Sequence, residues 1–188
     1  MKDGHEFAPP RYLWTGMYVG AQAGYGWGSS VHTDSFSASS GRFDMDGFVG
    51  GGTLGYNLQA GQIVWGIETD ISFVDVSGSG GPLNLYTSSV DWLWTVRGRL
   101  GVDLNGWMPY VTGGLAVADV YASALGSSNS DTLMGYTIGG GLEIKLDRSW
   151  STKVEYLFVD LGDLRLPATV RADFDELRIV RAGINYKF

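Results

Sequence analysis

The chain has 188 residues, 29 of them Gly, with 13 Lys plus Arg against 20 Asp plus Glu and a formal net charge of −7. That length suits one domain, and the acidic balance excludes a nucleic-acid binder, which needs a basic stripe against phosphate. A glycine content roughly double the usual ~7% excludes a helix bundle, the apolar content of 44% excludes a disordered chain, and the absence of cysteine excludes disulfides, thiolate metal sites and thiol nucleophiles.

Met1-Lys2-Asp3-Gly4-His5-Glu6 lacks the apolar stretch of a signal peptide, and no run of apolar residues is long enough for a membrane helix. The chain therefore reads as cytosolic or as a mature sequence behind an added Met. Residues 1–13 are expected to be a tail; from residue 14 to residue 188 the dominant signal is an alternation of period 2, in eight segments of roughly 10 to 14 residues.

Thr15 to Trp27 sets Met17, Val19, Ala21, Ala23, Tyr25 and Trp27 against Tyr18, Gly20, Gln22, Gly24 and Gly26. Gly47 to Leu58 sets Phe48, Leu54, Tyr56 and Leu58 against Thr53, Gly55 and Asn57. Gln62 to Val74 opposes Ile63, Trp65, Ile67, Ile71 and Phe73 to Gly66, Glu68, Asp70 and Ser72, so the second face carries charge. Asp91 to Leu104 alternates Trp92, Trp94, Val96, Leu100 and Val102 with Arg97, Arg99, Gly101 and Asp103. Met108 to Tyr121, Leu133 to Leu146 and Trp150 to Val159 follow, and Val180 to Phe188 ends the chain.

Connections alternate in length. Gln59-Ala60-Gly61, Asn105-Gly106 and Asp147-Arg148-Ser149 are short, whereas those near Gly28 to Asp46, Asp75 to Ser89, Ala122 to Thr132 and Asp160 to Asp173 are long and polar. Short turns thus share one end of the sheet. Asn-Gly is a strong hairpin signal, because both central residues of a type I′ turn need positive φ. Pairing Leu104 with Trp107 across it brings Arg99 opposite Thr112 and Gly98 opposite Gly113, which keeps the polar faces together.

A soluble barrel turns its apolar face inward. Here the charges Glu68, Asp70, Arg97, Arg99, Glu143, Lys145, Lys153, Glu155, Arg181 and Lys187 share the glycine-rich face, and aromatics crowd both ends of the apolar face. The short-turn side holds Tyr56, Trp65, Trp107, Trp150, Tyr186 and Phe188; the loop side holds Tyr25, Trp27, Phe48, Phe73, Trp92, Trp94, Tyr121 and Phe158. Such belts suit the two membrane interfaces, and the segments are long enough for tilted strands to cross hydrocarbon. The pattern predicts an all-β fold: a closed eight-stranded antiparallel transmembrane β-barrel. A soluble lipocalin-like barrel, which fits the length, would need an interior of aromatic belts and a glycine-rich exposed surface.

Trp14-Thr15-Gly16-Met17-Tyr18-Val19-Gly20 with Ala23-Gly24-Tyr25, Thr95-Val96-Arg97-Gly98-Arg99-Leu100-Gly101, Pro109-Tyr110-Val111-Thr112-Gly113-Gly114, Lys153-Val154-Glu155-Tyr156 and the final Gly183-Ile184-Asn185-Tyr186-Lys187-Phe188 resemble the small eight-stranded outer-membrane barrels of the OmpA-like superfamily, and most the surface-antigen or porin-like proteins of alphaproteobacteria. The resemblance implies the outer membrane of a Gram-negative bacterium, with short periplasmic turns, long extracellular loops and both termini periplasmic. The implied partners are outer-membrane lipids, lipopolysaccharide and the assembly machinery, which would read Val180, Ala182, Ile184, Tyr186 and Phe188 as its C-terminal signal; Ala182 is smaller than that pattern favours.

Little in the chain suggests catalysis. His5 and His32 are the only histidines, and no nucleophile elbow, P-loop or metalloprotease motif is present. No enzyme activity, cofactor or metal is expected; Asp44-Met45-Asp46 reads as a solvated loop segment. Eight strands leave an interior that side chains can fill, so the mixed charges are expected to plug the lumen, with Glu68 facing Arg99, Asp70 facing Arg97, and Glu143 opposite Lys153. The alternatives are a narrow pore, a loop-borne binding module for haem or a host surface through His32 and Tyr86, and, less favoured, a lipid-modifying enzyme. Outward glycines at Gly98, Gly113 and Gly140 are expected to leave a shallow groove that could take a lipid chain or a neighbouring membrane protein.

Overall fold

The computed structural model describes residues 13–34, 41–79, 86–124, 127–161, 164–165 and 170–188, with side chains placed at 13–28, 46–73, 92–118, 134–161 and 177–188. The expected tail thus lies outside the described residues except at Leu13, as do the side chains of His32, Asp44, Tyr86 and Tyr121.

Eight long strands form the wall: β1 (Gly16–Asp34), β2 (Gly41–Ala60), β3 (Ile63–Ser79), β4 (Tyr86–Val102), β5 (Trp107–Ala124), β6 (Ser127–Lys145), β7 (Trp150–Asp160) and β9 (Val170–Lys187); the two-residue β8 (Leu164–Arg165) lies along β9. Every pairing is antiparallel, each long strand meets the next, and β1 pairs with β9 to close the barrel. At this seam Phe188 N–H donates to Met17 C=O at 3.0 Å.

The alternating pattern builds this shape because one face of each strand must meet hydrocarbon and the other the lumen. Outward residues such as Ile67, Ile71, Phe73, Val111, Leu115, Ile138 and Val154 are exposed. Residues between them, among them Glu68, Asp70, Arg97, Thr112 and Glu155, are buried. The outward Thr69 spends its hydroxyl on Thr95 C=O at 3.0 Å and accepts from Trp94 Nε1 at 2.8 Å, so it faces the lipid with no idle hydrogen-bonding group.

The strands are longer than the apolar pattern suggests. β1 and β2 remain paired as far as His32 and Gly41, inside the stretch read as a long connection, and β5 and β6 remain paired to Ala124 and Ser127. The ladder continues there through a sequence rich in Ser, Gly and Asp, without an apolar period to reveal it.

The turns at the other end are tight. Asn105 and Gly106 both have positive φ, 59° and 94°, as their hairpin requires, and Gly61 at φ 63° turns β2 into β3. In the turn before β7, Asp147 Oδ1 accepts from the N–H groups of Ser149 and Trp150, both at 2.7 Å, and these bonds hold its carboxyl below the ordinary carboxylate range.

Candidate functional site: the charged lumen

Four strands supply the acids and bases at mid-height: Glu68 and Asp70 from β3, Arg97 and Arg99 from β4, Glu143 from β6, and Lys153 with Glu155 from β7; β9 adds Arg181. Each residue is no more than 5% exposed. The four carboxylates balance the four cations, so the cluster carries no net charge.

Arg97 is the hub. Its guanidinium reaches Glu68 at 2.5 Å, Asp70 at 2.8 Å and Glu155 at 2.9 Å. Arg181 joins Asp70 at 2.9 Å and Glu155 at 2.6 Å, so Asp70 and Glu155 each bridge the same two arginines. Lys153 donates to both oxygens of Glu68, at 3.0 and 2.9 Å. Arg99 reaches past β5 to Glu143 on β6 at 2.6 Å.

Neutral groups complete the cluster. Tyr18 O–H donates to Glu68 at 2.7 Å and accepts from Arg99 at 2.9 Å. Tyr110 O–H donates to Glu155 at 3.0 Å while its ring lies under the Arg99 guanidinium, 4.2 Å from the centroid. Thr95 donates to Asp70 at 2.6 Å, and Ser151 and Asn185 donate to Glu143 at 2.6 and 2.9 Å. Sequence reasoning did not assign these residues to the cluster. Their signal was parity: each stands on the same face as the charges, where an isolated Tyr or Thr among glycines has no lipid to meet.

Apolar layers close both sides of the cluster. Toward the long-loop end lie Val49, Leu93, Ala116, Ala118, Leu157, Val159, Leu161 and Ile179. Toward the short-turn end lie Trp14, Val64, Met108 and Tyr110. Trp14 enters from just before β1; its backbone N–H donates to Gln59 Oε1 at 2.8 Å and the residue is 2% exposed.

The structure departs from the expected register and membership of the cluster. In the ladder Glu68 stands opposite Arg97, not Arg99, and Asp70 opposite Thr95, not Arg97, although the expected ion pairs form across that displaced register, Asp70 with Arg97 at 2.8 Å and Glu68 with Arg99 at 3.6 Å. A bulge between Phe73 and Val76 uses up residues on β3, and a register estimated from the midpoint of a long connection misses it. Glu143 does stand opposite Lys153, but the Lys153 ammonium goes to Glu68 and Glu143 takes Arg99. Lys145 and Lys187 lie outside the cluster: Lys145 Nζ sits 4.8 Å from the Trp14 ring centroid, and Lys187 Nζ donates to the carbonyls of Leu13 at 2.7 Å and Thr15 at 3.3 Å. They secure the segment that carries Trp14.

On the outer wall Gly98 pairs with Gly113, but Gly113 then faces Ile138, and Gly140 faces Val111. The groove accordingly opens toward β3 instead of β6, as a cavity of about 260 Å³ lined by Trp65, Gly98, Leu100, Val111 and Gly113 among others. Val180, Ala182, Ile184, Tyr186 and Phe188 all point outward along β9, where Phe188 is 73% exposed and Tyr186 stacks edge-on with Trp150 and Phe188. Among the described residues no group of three or more His, Cys, Asp or Glu is arranged to hold a metal ion.

A closed barrel that is apolar outside, belted with aromatics and charged within is a membrane-spanning β-barrel. The family model described as outer membrane protein beta-barrel domain matches residues 5–188, and the chain belongs to that family. It is 38% identical over 204 residues to the 31 kDa outer-membrane immunogenic protein of Brucella melitensis, covering 94% of this chain and 85% of that one. It is also 38% identical over 188 residues to the 22 kDa outer membrane protein of Rhizobium leguminosarum, covering 95% and 80%. Among solved structures, Neisserial surface protein A superposes with a TM-score of 0.56 at 16% identity, covering 93% and 98% of the two chains. Ail, the attachment invasion locus protein of Yersinia pestis, gives 0.51 at 14% identity, covering 93% and 99%. The protein is an integral barrel of the Gram-negative outer membrane.

Proposed function

We propose that this barrel is a structural, surface-exposed component of the envelope whose lumen is plugged and conducts nothing of consequence. The observation that carries this reading is the neutral cluster of four carboxylates and four cations, fully buried and layered between the apolar groups of Val49 to Ile179 and of Trp14 to Tyr110. An ion crossing the lumen would have to pass both dry layers and part pairs whose members would be left charged and unpaired. The buried carboxylates of the lumen are engaged by Arg or Lys, so the described lumen holds no idle acid or base, and the reading includes no enzymatic activity.

In this reading the short-turn end, with both termini, is periplasmic and the long-loop end faces outward; relatives named as immunogenic outer-membrane proteins support surface exposure. The apolar wall meets lipid and, at its outer rim, lipopolysaccharide. The outward file from Val180 to Phe188 serves recognition by the assembly machinery, and the Gly98–Gly113 groove is open to an acyl chain or a neighbouring membrane protein. Purified barrels in a planar bilayer are expected to give no single-channel steps of nanosiemens size. Regular steps of that size would overturn the plug.

A further inference from the structure

The turn between β4 and β5 carries a covalent weak point. Asn105-Gly106 is the chain's one Asn-Gly pair, and in such a pair the glycine nitrogen can attack the asparagine side chain, because glycine has no Cβ to hinder the approach. Gly106 N gives up its proton and bonds to Asn105 Cγ, the side-chain nitrogen leaves as ammonia, and a succinimide ring closes. Solvent water then opens the ring at either carbonyl. The product is aspartate or, with the main chain rerouted through the side chain, isoaspartate.

Asn105 is exposed, so solvent reaches its amide. Two features of the turn oppose the attack. Positive φ at both residues, 59° and 94°, makes the turn type I′, which sets ψ of its first central residue at about +30°. There the Gly106 nitrogen points away from the Asn105 side chain, and the ring cannot close until the turn opens. Gly106 N–H is also occupied, since it donates to Asp103 Oδ1 at 2.9 Å. A proton held by a carboxylate is harder to remove, because the anion left on nitrogen would face a negative charge.

Asp103 is itself held in place. Its backbone N–H donates to Gln62 C=O at 2.7 Å, and Gln59 Nε2 donates to its Oδ2 at 3.1 Å and to Gly61 C=O at 3.0 Å. Gln59 Oε1 takes the backbone N–H of Trp14 at 2.8 Å. The turn between β2 and β3 and the segment before β1 thus brace the carboxylate that serves the turn between β4 and β5.

We propose that Asn105-Gly106 is a site of spontaneous deamidation and that Asp103 is the positioning residue that restrains it, by keeping Gly106 N–H occupied and the turn closed. The restraint matters for the lumen. Isoaspartate adds a carbon to the main chain of a tight turn, and this turn fixes Arg97 opposite Gly114 and Arg99 opposite Thr112. A shift there displaces Arg97, the hub of the charged cluster.

The test ages the whole protein, refolded in detergent micelles, in mildly alkaline buffer and follows Asn105 by mass spectrometry of the tryptic fragment from residue 100 to residue 145. Backbone fragmentation separates Asn105 from Asn129, the other asparagine in that fragment. Conversion in the unaltered barrel is expected to be much slower than in the same chain unfolded in urea. In Asp103→Ala it is expected to be about threefold to tenfold faster than in the unaltered barrel, the factor that one hydrogen bond is worth. Gel mobility of boiled and unboiled samples reports whether the variant is folded. A folded variant that converts no faster overturns the proposal, and one that converts more slowly overturns it by making Asp103 a base that promotes the attack. Should the variant not fold, hydrogen exchange in the unaltered barrel decides: Gly106 N–H is expected to exchange more slowly than in the urea-unfolded chain, and exchange at the unfolded rate would remove the restraint.

Discussion

Arg97 carries a disproportionate share of the lumen, since one guanidinium serves Glu68, Asp70 and Glu155 and also donates through Nε to Thr95 Oγ1 at 3.1 Å. Arg97→Met keeps the stem's packing and removes the charge, leaving those three carboxylates with Lys153 and Arg181 as their principal cations. The expected loss is about 3–5 kcal/mol, the usual consequence of stranding a buried charge, measured by urea unfolding in micelles. Adding Glu68→Gln restores the balance of charge, so the double variant should lose less than the two single losses added together. Strict additivity would show that the cluster does not act as a unit. The same reasoning explains why pairing positions alone did not reveal the partners: Arg99 stands beside Gly66 in the ladder, yet its long side chain reaches past β5 to Glu143 on β6.

At the level of the strands, glycines divide by the face they occupy. A Cβ on inward Gly114 would lie 2.0 Å from Val96 C=O and 2.7 Å from Arg97 Cα, so the coiled wall leaves no room for it there. On outward Gly98 the nearest atom to such a Cβ is Gly113 O at 3.8 Å. Gly98→Ala should therefore leave the stability level or raise it by about 0.4–1 kcal/mol through the unfolded chain, whereas Gly114→Ala, one register position away on the partner strand, should destabilise or prevent folding. Equal effects in a denaturant titration would sink this division. Register was legible in the sequence where turns are short, since Asn105-Gly106 fixes Arg99 opposite Thr112, and Asp147-Arg148-Ser149 fixes Glu143 opposite Lys153. It was not legible across the long connections of β3 with β4 and β5 with β6. There the ends of the strands carry no apolar period and so hide their own length, and the estimates came out two residues away, moving Gly140 from Gly113 to Val111.

For the barrel as a whole, the least legible feature is its closure at the short-turn end. Period 2 identifies which face of a strand is inward but says nothing about a residue before the first strand, so Trp14 carried no signal of its burial beneath the lumen. Lys145 and Lys187, read as members of the charge cluster, belong to this closure: one caps the Trp14 ring and the other grips the carbonyls on either side of it. The barrel does not depend on this segment for its ladder, because β1 and β9 pair from Tyr18 with Lys187 onward. Trp14→Ala should consequently keep a closed barrel but remove the ring packed on Val64, Met108 and Tyr110, at about 3–5 kcal/mol for a buried aromatic truncated to Ala. Lys145→Met, which keeps an apolar stem over the ring and removes only the cation, should cost no more than about 2 kcal/mol. Gel mobility of boiled and unboiled detergent samples, followed against temperature, reads both: the Trp14→Ala conversion should fall well below that of the unaltered protein, with Lys145→Met between them. A Trp14→Ala barrel that converts at the unaltered temperature would show that the ring only rests against the mouth and does not seal it.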